Sequence, residues 1–395
     1  CEWFQIIEED GIKFPRGVAC SASSNRPEAL FLDSNGLTGT LPAELYQLTT
    51  LRILNLDFNE LRGRMHGRLF LLYQLEHLSV AHNAFTGQLP QRWQAMHHIR
   101  TLDFSHNFFR GHLPPHISNM PNLKALAVDN NVLLGDINKA VGTYSLETFG
   151  LGRYNKSTLP MGNVDMEALY LGDNNFDTTL DERFLQGMTS LKRMDISNNN
   201  ITGSIPEHLL VMSSLEVLDL HGNNITGQIP LLPVNDVPED YDYPLQYLAL
   251  NNNKLSGPIF NNLNQLTNLQ HLDVAGNRLS LTMPDLSALT KLTHLFLAEN
   301  NFTPGTIPST MVALTNLRDL SLKSTQRTGA IPSDMDALSK LILLVLDDNQ
   351  LVGSIPNSFG ELSDIQVLLL NDNQLTGTVP SPQFENLMNL RLLFL

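Results

Sequence analysis

Two groups of side chains in this chain could do chemistry if the fold brought them together. The first is His77, His82, Asp103 and His106; the second is His271 and His294, which stand 23 residues apart. Imidazoles beside carboxylates can ligate zinc-like ions or titrate near neutral pH, so a metal site or a pH-sensitive contact is the chemistry to test. Solvated polar residues on an open face would look the same, and the expectation is that no metal and no cofactor is held. Arg193, Asp195, Asp219 and His221 add charges suited to pairing with a ligand. Catalytic spacing is missing: there is no H-E-x-x-H, C-x-x-C or G-x-S-x-G, and Gly150 and Gly152 in "TFGLGRYNK" lack the third glycine and the helix of a phosphate loop. No enzymatic activity is expected.

What positions these residues is a repeat. "NNNITGSIP" at 198–206 returns as "GNNITGQIP" at 222–230, and a fixed period must be read before any single residue. The unit is L-x-x-L-x-L-x-x-N-x-L-x-G-x-I-P, followed by a segment of spaced apolar residues. Units begin at Pro27, Leu51, Leu75, Ile99, Leu123, Leu146, Met166, Leu191, Leu215, Leu245, Leu269, Leu292, Leu317, Leu341, Ile365 and Leu390. Most intervals are 23 to 25 residues; Leu146 to Met166 is 20 and Leu215 to Leu245 is 30. In L-x-L the leucines point inward and the alternate residues outward, which predicts one short strand per unit in a parallel sheet. A lone unit buries too little to fold, so each is stabilised by its neighbours.

The asparagine of the template is expected to face inward and serve backbone groups left unpaired where the chain turns out of the strand. Stacked asparagines would form a ladder, broken where Tyr154 and Thr325 replace them. Replacing Thr325 with Asn is expected to extend it. The glycine supplies a tight turn and the proline an extended stretch.

"LEVLDLHGNNITGQIP" and its relatives resemble the plant-type extracellular leucine-rich repeat, over residues 27–395. The resemblance implies an α/β solenoid: a curved array with a parallel β-sheet on the concave face and short helical or 3-10 turns on the convex side. It implies a disulfide cap at 1–26 and about fifteen full repeats plus a truncated one at 27–395. "CEW" followed by "GVAC" is similar to the family's N-terminal cap, with "FQIIEEDGIKFPR" as an insertion. By the same resemblance the chain is expected to be the ectodomain of a receptor-like protein or kinase in signalling. It would bind a protein, peptide or glycan on the concave face, through His77, His82, Asp103, His106, Arg193, Asp195, Asp219 and His221. Rival expectations are a secreted inhibitor of a wall-degrading enzyme, or an adhesion or matrix protein.

Composition bounds these readings. A net charge of -15 argues against a nucleic-acid partner, and no apolar run approaches the ~18 residues of a spanning helix. Cys1 and Cys20 are the two cysteines; an even pair at the open end of a solenoid favours a disulfide and a secretory compartment. Sequons at Asn155, Asn200, Asn224 and Asn301 agree with that. The 30-residue unit carries "LLPVNDVPEDYDYP", where Tyr241 and Tyr243 sit among acids in a context resembling tyrosine sulfation. Toward the end, the outward positions become apolar: Leu343, Val345, Val367, Leu369, Leu392 and Phe394. One continuous exposed patch is expected there, as a contact for a co-receptor or for a C-terminal continuation.

Overall fold

A computed structural model describes residues 4–9, 12–114, 117, 120–141, 165–185, 187–232 and 242–395. The chain divides into two compact units, Cys1–Ile201 and Thr202–Leu395.

In the first unit each coil opens with a three-residue strand whose middle residue is driven inward. Leu54, Leu78, Leu102, Leu126, Leu169 and Met194 are at most 2% exposed, each flanked by outward neighbours. Pro27–Phe31, Ile53–Asn55, His77–Ser79, Thr101–Asp103, Ala125–Ala127, Ala168–Tyr170 and Arg193–Asp195 pair in parallel, in register. The segment read as an insertion is a hairpin. Phe4–Glu9 pairs antiparallel with Ile12–Cys20, which pairs antiparallel with Pro27–Phe31. It covers an edge that would otherwise present unpaired backbone groups. Cys20 ends this strand and is disulfide-bonded; Cys1 lies outside the described residues.

After the asparagine turn the chain forms a second, flanking sheet. Thr38–Gly39, Glu60–Arg64, Ala84–Gly87, Phe108–Gly111, Val132–Gly135 and Asn175–Phe176 stack in parallel. Gly63, Gly87, Gly111 and Gly135 each leave room for a side chain of the coil before. At Gly87, φ is +88° and an added Cβ would sit 2.9 Å from the Arg64 Cγ, so the Arg64 stem lies in the space a side chain would fill. The third side is made of 3-10 turns, such as Ala43–Gln47 and Gly67–Leu71.

The second unit repeats the plan. Val217–Asp219, Tyr247–Ala249, His271–Asp273, His294–Phe296, Asp319–Ser321, Leu343–Val345, Val367–Leu369 and Leu392–Phe394 form its parallel strand face. Single turns again close the coils, 3-10 at Asn261–Gln265 and Ser309–Ala313, α-helical at Glu207–Leu210.

The asparagine ladder is present in both units. Asn107 is 6% exposed. Its Oδ1 accepts from the Phe85 N–H of the coil before at 3.0 Å, and its Nδ2 donates to Val80 O at 2.9 Å, Phe104 O at 3.3 Å and Ser105 O at 2.9 Å. Asn253 does the same for Ile225 and Leu220. One amide thus satisfies buried groups of two coils that would each cost about 1–3 kcal/mol unpaired.

Two expectations are corrected. Ala125–Ala127 pairs directly with Ala168–Tyr170, and Asn174 accepts from Leu133 N–H and donates to Val128 O, 2.9 and 3.0 Å away. The unit read from Leu146 is therefore not a coil between those strands. Leu146 and Tyr154 themselves lie outside the described residues. The break at Thr325 is real but compensated. Thr325 is fully buried, and Arg327, in the slot that holds leucine, isoleucine or phenylalanine in other coils, is 2% exposed. Its guanidinium donates to Thr303 O (2.6 Å), Thr306 O (3.3 Å) and Thr325 O (2.8 Å).

Candidate functional site

On the strand face of the first unit, the residue before each ladder asparagine is in the left-handed region: Phe58 (φ 51°), His82 (51°) and His106 (50°). That backbone is sparsely allowed for residues with a side chain. Here it turns three rings outward in a column. His82 stacks between Phe58 and His106, with centroids 4.2 and 3.9 Å away and planes 12° apart in both cases. Phe58 is 59% exposed, so a ring on a water-facing surface remains open to contact.

Carboxylates lie beside the column. Asp57 accepts from Ser79 Oγ at 2.5 Å and from Ala81 N–H at 2.7 Å, and Asp129 Oδ2 is 3.7 Å from His106 Nε2. Burial holds both carboxyls above the usual range, with the Asp103 charge raising them further. An approaching cation would relieve that cost. Across the same face runs a charge ladder, Arg52–Glu76–Arg100 and Lys124–Glu167–Lys192. The hydrogen bond from Arg52 holds Glu76 below the usual carboxylate range, and that from Lys124, with Lys192, does the same for Glu167.

The histidines of this face do not converge. His77 hydrogen-bonds Thr101 Oγ1 at 2.8 Å, while His82 and His106 stack and His106 faces Asp129. Asp103 is taken up by Ser105, through its N–H at 2.9 Å and its Oγ at 2.7 Å. Among the described residues no group of three or more histidine, cysteine or acidic side chains could hold a metal ion. Arg193 is exposed, and Asp195 accepts from Ser197 N–H at 2.8 Å.

In the second unit His271 and His294 are neighbours as read, with ring centroids 5.4 Å apart. Tyr247 stacks on His271 at 4.3 Å, and Phe296 closes in at 5.8 Å. His294 is held by Thr293 Oγ1 at 2.8 Å and faces Asp319 at 3.3 Å. Burial, with the neighbouring His294, pushes His271 down to about 4, so its ring is neutral over the physiological range. His221 and Asp219 pair at 2.7 Å. Sequence reasoning missed Phe58, Tyr247 and Phe296. The column before each asparagine, reading Ser34, Phe58, His82, His106, would have shown the first.

The apolar strands are less open than expected. Val345 is 9% exposed; Leu343, Val367 and Leu369 are half-buried, and only Leu392 and Phe394 are open, at 42% and 53%. Side chains on strands ~4.8 Å apart shield one another. Tyr243 is 3% exposed, which leaves its hydroxyl out of reach of a modifying enzyme; Tyr241 and Asn155 lie outside the described residues. Asn200 and Asn301 are exposed and Asn224 is half-exposed. No helix among the described residues is long and apolar enough to cross a membrane.

Leucine-rich repeat family models match residues 165–225 and, in single repeats, 98–120, 268–289 and 340–362. The chain is 27% identical over 190 residues to the receptor-like kinase TMK2 of Arabidopsis thaliana, covering 46% of this chain and 21% of that protein. The plant peptide hormone receptor RGFR1 in complex with RGF2 superposes with a TM-score of 0.69 at 26% identity, covering 92% of this chain and 62% of that one. The Arabidopsis receptor kinase HAESA, in complex with the peptide hormone IDA and the co-receptor SERK1, gives 0.61 at 28%, covering 92% and 66%. The chain thus spans about a fifth of the kinase and less than two-thirds of either receptor chain.

Proposed function

Because the chain is a leucine-rich repeat protein similar to plant receptor ectodomains, we propose that it is an extracellular recognition module that binds a peptide or protein on its strand face. The observation that carries this reading is the Phe58–His82–His106 stack, open at Phe58, beside the half-buried carboxyls Asp57 and Asp129. An aromatic side chain next to a basic one meets both: its ring extends the stack, and its cation lowers the cost of two crowded acids. The peptide-bound receptors supply the precedent, since the fold alone does not imply a ligand.

The compartment follows from the same reading. We assign Cys1 as the partner of Cys20, Asn200, Asn224 and Asn301 as glycan acceptors, and the cell surface or its exterior as the location. In signalling, Leu392 and Phe394 offer the contact for a co-receptor. The test is to pan a random peptide library on the full chain and titrate the enriched peptides by calorimetry. Basic-aromatic peptides should dominate, and His106→Ala or Asp129→Asn should weaken them about tenfold, ~1.4 kcal/mol. Enriched peptides that ignore both changes would sink the reading.

A further inference from the structure

The described residues contain a second candidate site, on the flank of the first unit and off the strand face. A groove of about 700 Å³ is lined by Arg64, Arg92 and Arg110, with Gln88 and Gln91 between them. Among the described residues no carboxylate pairs with any of these three guanidiniums. Three unpaired arginines facing one groove stand out on a chain of net charge -15. The arrangement is built into the coils. The Arg64 stem lies in the space left by Gly87, and Gln88 lies likewise over Gly111, where a Cβ would meet its Cγ at 3.2 Å. The Arg92 guanidinium sits over the Phe70 ring, 5.3 Å from its centre, which fixes the cation without neutralising it. Arg64 and Arg110 stand on flanking strands two steps apart, so their backbones are separated by ~10 Å.

We propose that this groove binds a polyanionic oligosaccharide, a chain whose sugars carry carboxylates or sulfates. Guanidinium forks bind both oxyanions in paired, charge-assisted hydrogen bonds. The amides of Gln88 and Gln91 and the backbone at Gly87 and Gly111 suit hydroxyl groups between the charges. Three points favour a saccharide over an acidic polypeptide. The apolar residues of the groove, Leu89, Pro90 and Met65, are buried and offer no pocket for side chains. The remaining lining is hydrogen-bonding. A slender chain can also reach the three arginines without bringing a second acidic body against the acidic remainder of the surface.

The experiment is calorimetric titration of the full chain with four probes: a uronic-acid oligosaccharide, a sulfated one of equal length, the neutral parent, and poly-glutamate. One or both charged saccharides should bind, more weakly as salt rises, and the neutral parent should not. Which of the two binds more tightly identifies the anion. Replacing Arg64, Arg92 and Arg110 together by Gln should weaken binding about tenfold or more, with the melting temperature unchanged. The single change Arg110→Gln gives a smaller loss and serves if the triple variant misfolds. Arg62→Gln with Arg68→Gln, outside the groove, should bind as wild type. Failure of both charged saccharides to bind, unchanged binding by the variants, equal binding of the neutral parent, or tighter binding of poly-glutamate would each overturn the proposal.

Discussion

Replacing Arg327 by Leu restores the consensus residue of its slot, yet the structure says it should destabilise the protein. The segment from Asn300 to Pro308 is one residue longer than the matching Asn349 to Pro356. The extra residue leaves the Thr303 and Thr306 carbonyls turned toward the next coil, where Arg327 donates to both and to Thr325 O. Thr325 O is buried and loses two donors, Nε at 2.9 Å and Nη2 at 2.8 Å; leaving it unpaired costs about 2 kcal/mol. Thr303 and Thr306 are exposed residues, so water can replace part of what they lose, and about 0.5–1 kcal/mol each is expected. Leucine recovers some energy because burial already disfavours the charged guanidinium and lowers its pKa. The net loss is about 2–3 kcal/mol, or roughly 2–4 °C in melting temperature for a chain of this length. Hydrogen exchange should localise it, since the Thr328 N–H to Gly305 and the Gln350 N–H to Arg327 flank the site. Arg327→Leu that melts at or above wild type, with unchanged protection at Thr328 and Gln350, would refute the reasoning. Deleting Pro304 together with Thr325→Asn and Arg327→Leu should recover most of the loss.

Asn253→Ala should cost about 2–4 kcal/mol in denaturant melts, because Ile225 N–H and Leu220 O lose partners in a buried site; a change within error would mean the ladder is dispensable. His271 gives a pH dependence. Its folded value of about 4 lies below the ordinary 6.5, so the unfolded chain takes up the proton first. Its contribution is intact above pH ~6.5 and is lost as pH falls toward ~4. Because the ring is only half-buried, the loss is about 1–2 kcal/mol. Melting curves of wild type and His271→Gln should converge as pH falls through that window; parallel curves would remove His271 as the cause.

The period, the inward leucines and the ladder were legible because each coil must satisfy the same backbone groups, and repetition amplifies a weak local signal. The Leu146 unit fits the template in its leucines but holds Tyr154 in its asparagine slot, and among the described residues the ladder passes from the Asn131 coil to Asn174 without it. Arg327 gives no signal in the sequence, since its partners are backbone carbonyls exposed by an insertion 23 residues earlier, and carbonyls leave no trace in residue types. Phe58 escaped because its slot, just past the strand, carries no regular residue type (Ser34, Phe58, His82, His106 in successive coils), although the left-handed backbone there turns each side chain to the strand face.

The ladder also gives each stack a polarity. From Asn59 onward the ladder asparagines of the described residues reach backward: Asn59 accepts from Asn35 and Leu37, Asn83 from Leu61, Asn277 from Leu255. Peeling a coil from the N-terminal side of a stack costs the next asparagine a carbonyl and an N–H, while the backbone of the coil that remains is still served from ahead. Peeling from the C-terminal side strips the new last coil of the amide that completes its turn. Within a stack, then, the two directions of unravelling are inequivalent, and pulling from opposite ends should meet different resistance at the first step.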